Sequence, residues 1–172
     1  GSSGSGKSTF SRKLSTILSV THIEIDAIFW QPNWQEPEED IFCSKLSAEI
    51  SPLSNWVLDG NYTRTIPIKW KNVQVVIWLD YSFIRTVFQA IKRAVTRAFS
   101  QKELWAGTGN KETWRSFFSK DSIVLYTIKT HNKVRREYEL LMLDKSYSHI
   151  EFVRFRSPKE SEQFLNLIKE LP

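Results

Sequence analysis

The sequence has few of the features that indicate a disulfide-bonded, metal-binding, membrane-spanning or secreted protein. Its 172 residues include one cysteine, Cys43, so an intramolecular disulfide is excluded, and its neighbours lack metal-ligand spacing. No uninterrupted apolar run approaches the roughly 18 residues of a membrane-spanning helix. Nothing at the start is typical of a secretory signal. We therefore expect a reducing compartment, a cytoplasmic location and no membrane partner.

Acidic residues are outnumbered, with 19 Asp and Glu against 24 Lys and Arg, which gives a net charge of +5. Such an excess fits either a nucleic-acid surface or a cleft that binds polyphosphate. The basic residues follow predicted helices rather than a tail, which favours a phosphate cleft with solvated helix faces. The main basic clusters are Lys92, Arg93, Arg97, Lys102, Lys133, Arg135 and Arg136.

The length and the apolar content, 41% of residues, suit one α/β domain over residues 1–172. Apolar patterning predicts strands at 22–26, 55–59, 73–80 and 150–155. It predicts helices at 7–18, 36–51, 83–99, 112–118, 122–143 and 158–171. Strands that alternate with helices indicate a parallel, doubly wound sheet.

The strongest motif is at the start of the chain, where residues 1–8 match G-x-x-x-x-G-K-[ST] without a gap. Glycines allow successive backbone N–H groups to point at phosphate oxygens, and the following helix adds its positive dipole end. Lys7 is expected to reach the β- and γ-phosphates, and Ser8 to bind Mg²⁺. The predicted ATP-binding residues are Gly1, Ser2, Gly4, Ser5, Gly6, Lys7, Ser8 and Thr9.

A Gly-Ser run at a chain start also resembles a flexible linker or a tag remnant. The helix that follows, with Phe10 and Leu14 on one side, favours a true phosphate loop. Such a loop normally follows a central strand, yet Gly1 begins the loop itself. We expect that residues precede Gly1, because a sheet without its middle strand would leave backbone groups unpaired.

Three carboxylates follow apolar runs and are candidates for the Mg²⁺ site. Asp59 is favoured, because Gly60 after it lets the backbone turn away and approach a ligand. Asp80 is interpreted mainly as the N-cap of the next helix. Asp26 precedes an aromatic segment at residues 29–34 and is a candidate base that accepts the proton of an attacking hydroxyl. A helix cap beside core aromatics is the alternative for Asp26.

Residues 1–9, 22–30, 59–62, 77–80, 104–105 and 109–112 resemble the adenylate-kinase-related P-loop proteins often labelled topology modulation protein. The resemblance runs over nearly the whole chain. Its most specific parts are Asp-Gly-Asn-Tyr at 59–62 and the Asp-x-x-Phe-Trp segment that ends at Trp30.

The resemblance implies a three-layer P-loop NTPase fold of the nucleoside monophosphate kinase type. Its parallel sheet has the order 2-3-1-4-5, the first strand would be missing from the numbered chain, and a lid would lie at about residues 99–119. It supports Asp59 at the metal. Adenylate kinases continue after Asp-Gly with Pro-Arg, whereas Asn61, Tyr62, Thr63 and Arg64 follow here. The acceptor site is therefore expected to differ from that of adenylate kinase.

Arg93 and Arg97 are four residues apart and share one face of a predicted helix. They are candidates for catalytic residues that converge on the transferring phosphoryl group when the lid closes and excludes water. The alternative for both is a solvated helix face.

The sequence thus predicts Mg²⁺-ATP-dependent phosphoryl transfer to a small-molecule or nucleotide acceptor. Lys7, Asp26, Arg93 and Arg97 would be catalytic, and Ser8 and Asp59 would hold the metal. The acceptor would lie near Asp26, Trp30, Tyr62 and Arg64. The alternative is an ATP-binding regulatory or nucleic-acid-associated protein with little kinase turnover. No helix-turn-helix or zinc motif supports the second hypothesis.

Overall fold

The computed structural model describes residues 1–120 and 122–170. The chain divides into two units, each assembled from separate stretches of sequence. Unit 1 contains residues 1–6, 73–102 and 112–164, and unit 2 contains residues 7–72, 103–111 and those from 165 onward. The predicted lid at 99–119 is therefore shared between the two units. That this segment acts as a lid, and that the chain is one domain, stay predictions.

Unit 2 begins with a helix and contains two short strands. Its elements are α1 (Lys7–Leu18), β1 (Thr21–Glu24), α2 (Ile25–Phe29), α3 (Glu39–Ile50), β2 (Trp56–Asp59) and α4 (Ile66–Lys69). Strands β1 and β2 pair in parallel, with His22 opposite Val57 and Glu24 opposite Asp59. Helix α1 packs against both strands. This arrangement gathers the first turn of α1 and the acidic strand ends into one unit.

The core of unit 2 lies between α2 and α3. Ile25 and Phe29 are four residues apart, as are Phe42 and Leu46, so each pair shares one helix face. All four side chains are buried together. Burying a side chain of this size stabilises a fold by about 1.5–3 kcal/mol. The core thereby fixes the short α2, which carries Asp26.

Unit 1 contains the other strand pair and the two longest helices. Its elements are β3 (Val75–Leu79), α5 (Phe83–Ser100), α6 (Trp114–Phe117), α7 (Ile123–Leu143), β4 (Glu151–Phe155) and the beginning of α8 (Pro158–Glu170). Strands β3 and β4 are parallel, with Leu79 opposite Phe155. Only β3 is a continuous apolar run, and it is buried at its end, at Trp78 and Leu79, whereas β4 includes Glu151 and Arg154.

Helix α5 packs against α7. Its buried residues recur at every fourth position and are small: Thr86, Ala90, Ala94 and Ala98. Small side chains allow close approach of two backbones, while the opposite side of the helix is left for larger residues. Four bulky apolar residues of α5, Ile84, Phe88, Ile91 and Phe99, lie away from its buried face and are exposed.

The predicted five-stranded sheet in the order 2-3-1-4-5 is wrong. The described residues form two separate parallel sheets of two strands each, β1-β2 and β3-β4. In the predicted order 2-3-1-4-5, strand 1 lies between the pair 2-3 and the pair 4-5. Residues 1–6, which precede α1, form a loop, and no other strand in the described part of the chain takes that place.

One strand boundary differs in a way that affects the site. The predicted strand at 22–26 ends at Glu24, and α2 begins at Ile25. Asp26 therefore lies in the first turn of a short helix, where a carboxylate is favourable. Across residues 1–120 and 122–170, every helix is too short or too polar to traverse a lipid bilayer.

Candidate functional site

Residues 1–6 form a loop in unit 1 that only glycine can build at two positions. Gly4 and Gly6 have φ angles of +82° and +86°, in the left-handed region that other residues rarely adopt. A Cβ on Gly4 would lie 2.8 Å from the Thr86 carbonyl oxygen and 3.0 Å from the Ala90 Cβ. The loop thus packs tightly against the first turns of α5.

A buried hydroxyl in this loop lacks a hydrogen-bond partner. Ser5 is 1% exposed, and its Oγ contacts no donor or acceptor in the described residues. Leaving such a group unpaired costs about 1–3 kcal/mol, so unpaired buried hydroxyls need an explanation. An oxygen-rich ligand held by the loop would satisfy this hydroxyl.

Arg93 reaches the loop from α5. Its Nη2 donates a hydrogen bond to Ser3 Oγ at 3.0 Å. A shallow groove of about 330 Å³ runs beside it on α5, lined by Gln89, Lys92, Arg93, Thr96 and Arg97. Unit 1 therefore places one of the two predicted arginines beside the predicted phosphate loop.

Arg97 has a different partner. Its Nη1 contacts Glu112 Oε1 at 2.8 Å, and Gln101 Nε2 donates to the Glu112 carbonyl oxygen at 3.2 Å. Glu112 thus fastens the segment before α6 to the end of α5. The pairing could not be foreseen from helix spacing, because Glu112 lies beyond the end of the helix.

In unit 2, α1 begins at Lys7, so Lys7, Ser8 and Thr9 form its first turn. This is the part of a helix where backbone N–H groups are unpaired and anions are stabilised. Asp59, at the end of β2, is buried, and α1 packs against that strand. The predicted metal ligands Ser8 and Asp59 therefore belong to neighbouring elements of one unit.

A second carboxylate lies next to Asp59 and was not predicted. Glu24 is opposite Asp59 in the parallel pairing of β1 and β2. Burial raises the pKa of Glu24, and the negative charges of Asp59 and then Asp26 raise it further. A glutamate between Ile23 and Ile25 in an apolar strand is the sequence signal that could have identified it.

The raised pKa of Glu24, which comes from burial and then from charge repulsion, predicts that Glu24→Gln stabilises the protein at neutral pH. Because the pKa of Glu24 is raised on folding, its ionisation opposes folding above that pKa, whereas below about pH 4 it is protonated in both states. We expect the melting temperature to rise by roughly 1–3 °C at pH 7, with no gain at pH 4. Thermal melts at both pH values, with exposed Glu49→Gln as control, test this. An equal shift at both pH values would contradict it.

Asp26 and Tyr62 form a direct pair. Tyr62 Oη donates a hydrogen bond to Asp26 Oδ1 at 2.7 Å. Burial, and secondarily the charge of Asp26, raises the pKa of Tyr62 well above its usual range, so the phenol stays protonated. The hydrogen bond fixes the direction of the Asp26 carboxylate.

The remaining predicted acceptor residues surround Phe29. Trp30 and Tyr62 lie 4.9 and 4.7 Å from the Phe29 ring, centroid to centroid. The Arg64 guanidinium lies 5.0 Å from the same centroid and 5.3 Å from that of Phe42, a cation–π geometry. The structure therefore brings Trp30, Tyr62 and Arg64 around one buried ring, with Asp26 bound to Tyr62.

Two further tryptophans, Trp34 and Trp105, extend this aromatic group. Trp30 lies 5.4 Å from Trp34 and 6.3 Å from Trp105, and Trp34 lies 5.9 Å from Trp105. Asn110, which is 2% exposed, accepts from the Trp34 backbone N–H at 3.0 Å and donates to the Gln31 carbonyl at 2.9 Å. Trp34 needs this support because its φ of +59° is strained for a bulky residue.

Asp80 does not cap the helix that follows it, which corrects that prediction. Ser82 is the N-cap residue of α5. The Asp80 carboxylate, with a side chain 3% exposed, binds Arg135 at 2.7 Å and Arg154 at 2.6 Å. Arg154 also lies over the Trp78 ring and pairs with Glu139. Asp80 therefore joins β3, β4 and α7.

Within the described ranges, no three His, Cys, Asp or Glu side chains are grouped so that they could hold a metal ion by themselves. A Mg²⁺ ion that accompanies a nucleotide is different, since phosphate oxygens and water supply most of its ligands. The Ser8 hydroxyl and the buried Asp59 carboxylate are two oxygen ligands that fit such an ion. Comparison of the chain with protein-family models, curated proteins and solved structures gives no match.

Proposed function

We propose that the chain binds Mg²⁺-ATP at residues 1–9 and transfers its γ-phosphoryl group to a small hydroxyl- or phosphate-bearing acceptor. The observation that carries the proposal is the loop at residues 1–6. Its left-handed glycines, its unpaired Ser5 hydroxyl and its bound Arg93 would together surround phosphate oxygens. The sequence motif G-x-x-x-x-G-K-S, which includes this loop, supports the same ligand.

The residues of unit 2 would supply the electrostatic part of the reaction. Lys7 would neutralise phosphate charge, and Ser8 and Asp59 would hold Mg²⁺, which neutralises charge on the β- and γ-phosphates when bound. A cation beside Asp59 would also relieve its repulsion with Glu24. The mutual repulsion of these carboxylates is a second reason to favour a cation there.

In the proposed transfer, an acceptor oxygen forms a bond to the γ-phosphorus while the bond from that phosphorus to the β–γ bridging oxygen breaks. ADP leaves with the bridging oxygen. For a hydroxyl acceptor, the displaced proton would pass to Asp26 Oδ2, since Oδ1 accepts the Tyr62 hydrogen bond. Arg64 and Trp30 would bind the rest of the acceptor.

Gly4→Ala is expected to weaken Mg²⁺-ATP binding by at least about tenfold, because the added Cβ collides with α5 and reshapes the loop. Gly107→Ala is the matched control, since Gly107 has a similar φ of +80° but open space around it and lies outside the loop. Titration calorimetry measures both affinities. The same affinity in both variants would contradict the loop as the nucleotide site.

The reaction itself is tested by ADP release from Mg²⁺-ATP across a panel of small alcohols, nucleosides and their monophosphates. Release that rises above the no-acceptor background supports a kinase and identifies the acceptor class. Tight Mg²⁺-ATP binding without any acceptor-dependent release would instead support the regulatory alternative, and no nucleotide binding would overturn both.

A further inference from the structure

One stripe of α5 is apolar and exposed. Positions spaced by three and four share a helix face, and bulky apolar residues occupy 84, 88, 91, 95 and 99. Ile84, Phe88 and Phe99 are 80%, 65% and 73% exposed. With a rise of 1.5 Å per residue the stripe is about 22 Å long. An exposed, continuous apolar surface of this kind indicates a partner.

Aromatic residues continue the stripe beyond the end of α5. The Phe99 ring meets that of Trp114 edge to face at 4.8 Å, and Trp114 lies 6.1 Å from Phe117. Phe118, next in the chain, is 79% exposed. Trp is favoured where an apolar phase meets water, and Trp and Phe are typical of the apolar face of helices that lie in a bilayer interface.

The residues beside the stripe are basic. Arg85 and Lys92 border it, and the 18 residues of α5 include four basic residues and no acidic one. Unit 1 as a whole holds 15 of the 24 basic residues but only 9 of the 19 acidic ones. The partner of this surface should therefore be apolar and anionic.

We propose that α5 and the aromatic residues after it bind the surface of an anionic phospholipid bilayer. The apolar stripe would enter the boundary between head groups and acyl chains, while Arg85 and Lys92 contact lipid phosphates. A second copy of the chain fits less well, because a two-fold interface through this stripe would bring two basic borders together. Binding to a bilayer surface needs no membrane-spanning helix, and the proposal does not rest on the nucleotide site.

The test is co-sedimentation of the full chain with vesicles of phosphatidylcholine alone and with phosphatidylserine added. We expect binding to the anionic vesicles that weakens with salt, and little binding to neutral ones. Phe88→Ser with Phe99→Ser should reduce binding by at least about tenfold. The matched control is Leu140→Ser with Leu143→Ser, two comparably exposed apolar residues on α7. Circular dichroism verifies that each variant is folded.

The charge is tested separately, so that the proposal does not depend on one variant. Arg85→Glu with Lys92→Glu should also reduce binding to the anionic vesicles by at least about tenfold. Lys145→Glu with Lys159→Glu, two exposed residues elsewhere on unit 1, should leave that binding unchanged. Absence of wild-type binding to anionic vesicles at low salt would overturn the proposal. So would a dimer that dissociates in the Phe88/Phe99 variant, or binding to nucleic acid but not to vesicles.

Discussion

Lys7→Ala is expected to reduce the Mg²⁺-ATP-dependent release of ADP by at least about 100-fold. Lys7 occupies the lysine position of the G-x-x-x-x-G-K-S pattern and begins α1, whose first turn already favours anions. Removing its ammonium group leaves the phosphate charge that develops in the transition state without its main side-chain counter-charge. Steady-state assays with the acceptor found in the screen measure the effect.

The control is Lys13→Ala, which removes the same charge from the same helix at an exposed position. It should stay within about twofold of the wild type, because a solvated charge is strongly screened. Binding measured by calorimetry separates a loss of affinity from a loss of turnover. If the Lys7 and Lys13 variants behave alike, residues 1–9 are not a nucleotide site.

Asp80→Asn should cost about 3–5 kcal/mol of unfolding free energy, the largest stability effect we expect of a single substitution here. The buried carboxylate accepts hydrogen bonds from both Arg135 and Arg154. An amide of nearly the same shape cannot balance two guanidinium charges. The melting temperature should fall by about 10 °C for a chain of this length.

Urea unfolding of Asp80→Asn and Glu139→Gln, side by side, tests this expectation. Glu139 pairs with the same Arg154 at 3.0 Å but is largely solvated, with a side chain 46% exposed. Its loss should cost less than about 1 kcal/mol. Equal losses of unfolding free energy in the two variants would contradict the expectation that buried Asp80 stabilises the fold more than exposed Glu139.

The helices were largely predictable from the sequence, because helical periodicity is local. The predictions at 7–18, 83–99 and 122–143 each agree with the observed helix to within one residue at either end. The sheet was not predictable in the same way. Strand pairing depends on contacts between distant parts of the chain, and the predicted order rested on a resemblance rather than on a local pattern.

At the candidate site, too, local features could be predicted from the sequence and long-range contacts could not. Loop residues that act through their own backbone, such as Gly4, could be predicted because they belong to one contiguous motif. Individual tertiary contacts could not: Asp26 and Tyr62, 36 residues apart, were predicted for the same acceptor site but not as hydrogen-bond partners, and Asn110 and Trp34 are 76 apart. Nothing in a single sequence indicates which atoms of such residues form hydrogen bonds. The kinase activity and its acceptor stay predictions until the assays above are made.

The interleaved composition of the two units has a consequence for dissecting the molecule. The chain passes from one unit to the other after residues 6, 72, 102, 111 and 164. No single deletion or protease cut can therefore release either unit as one continuous fragment. Unless the cut removes no more than residues 1–6 or the residues after 164, a truncated chain would lack parts of both units, so loss of activity after truncation would not locate that activity. Point substitutions are the informative way to assign roles in this protein.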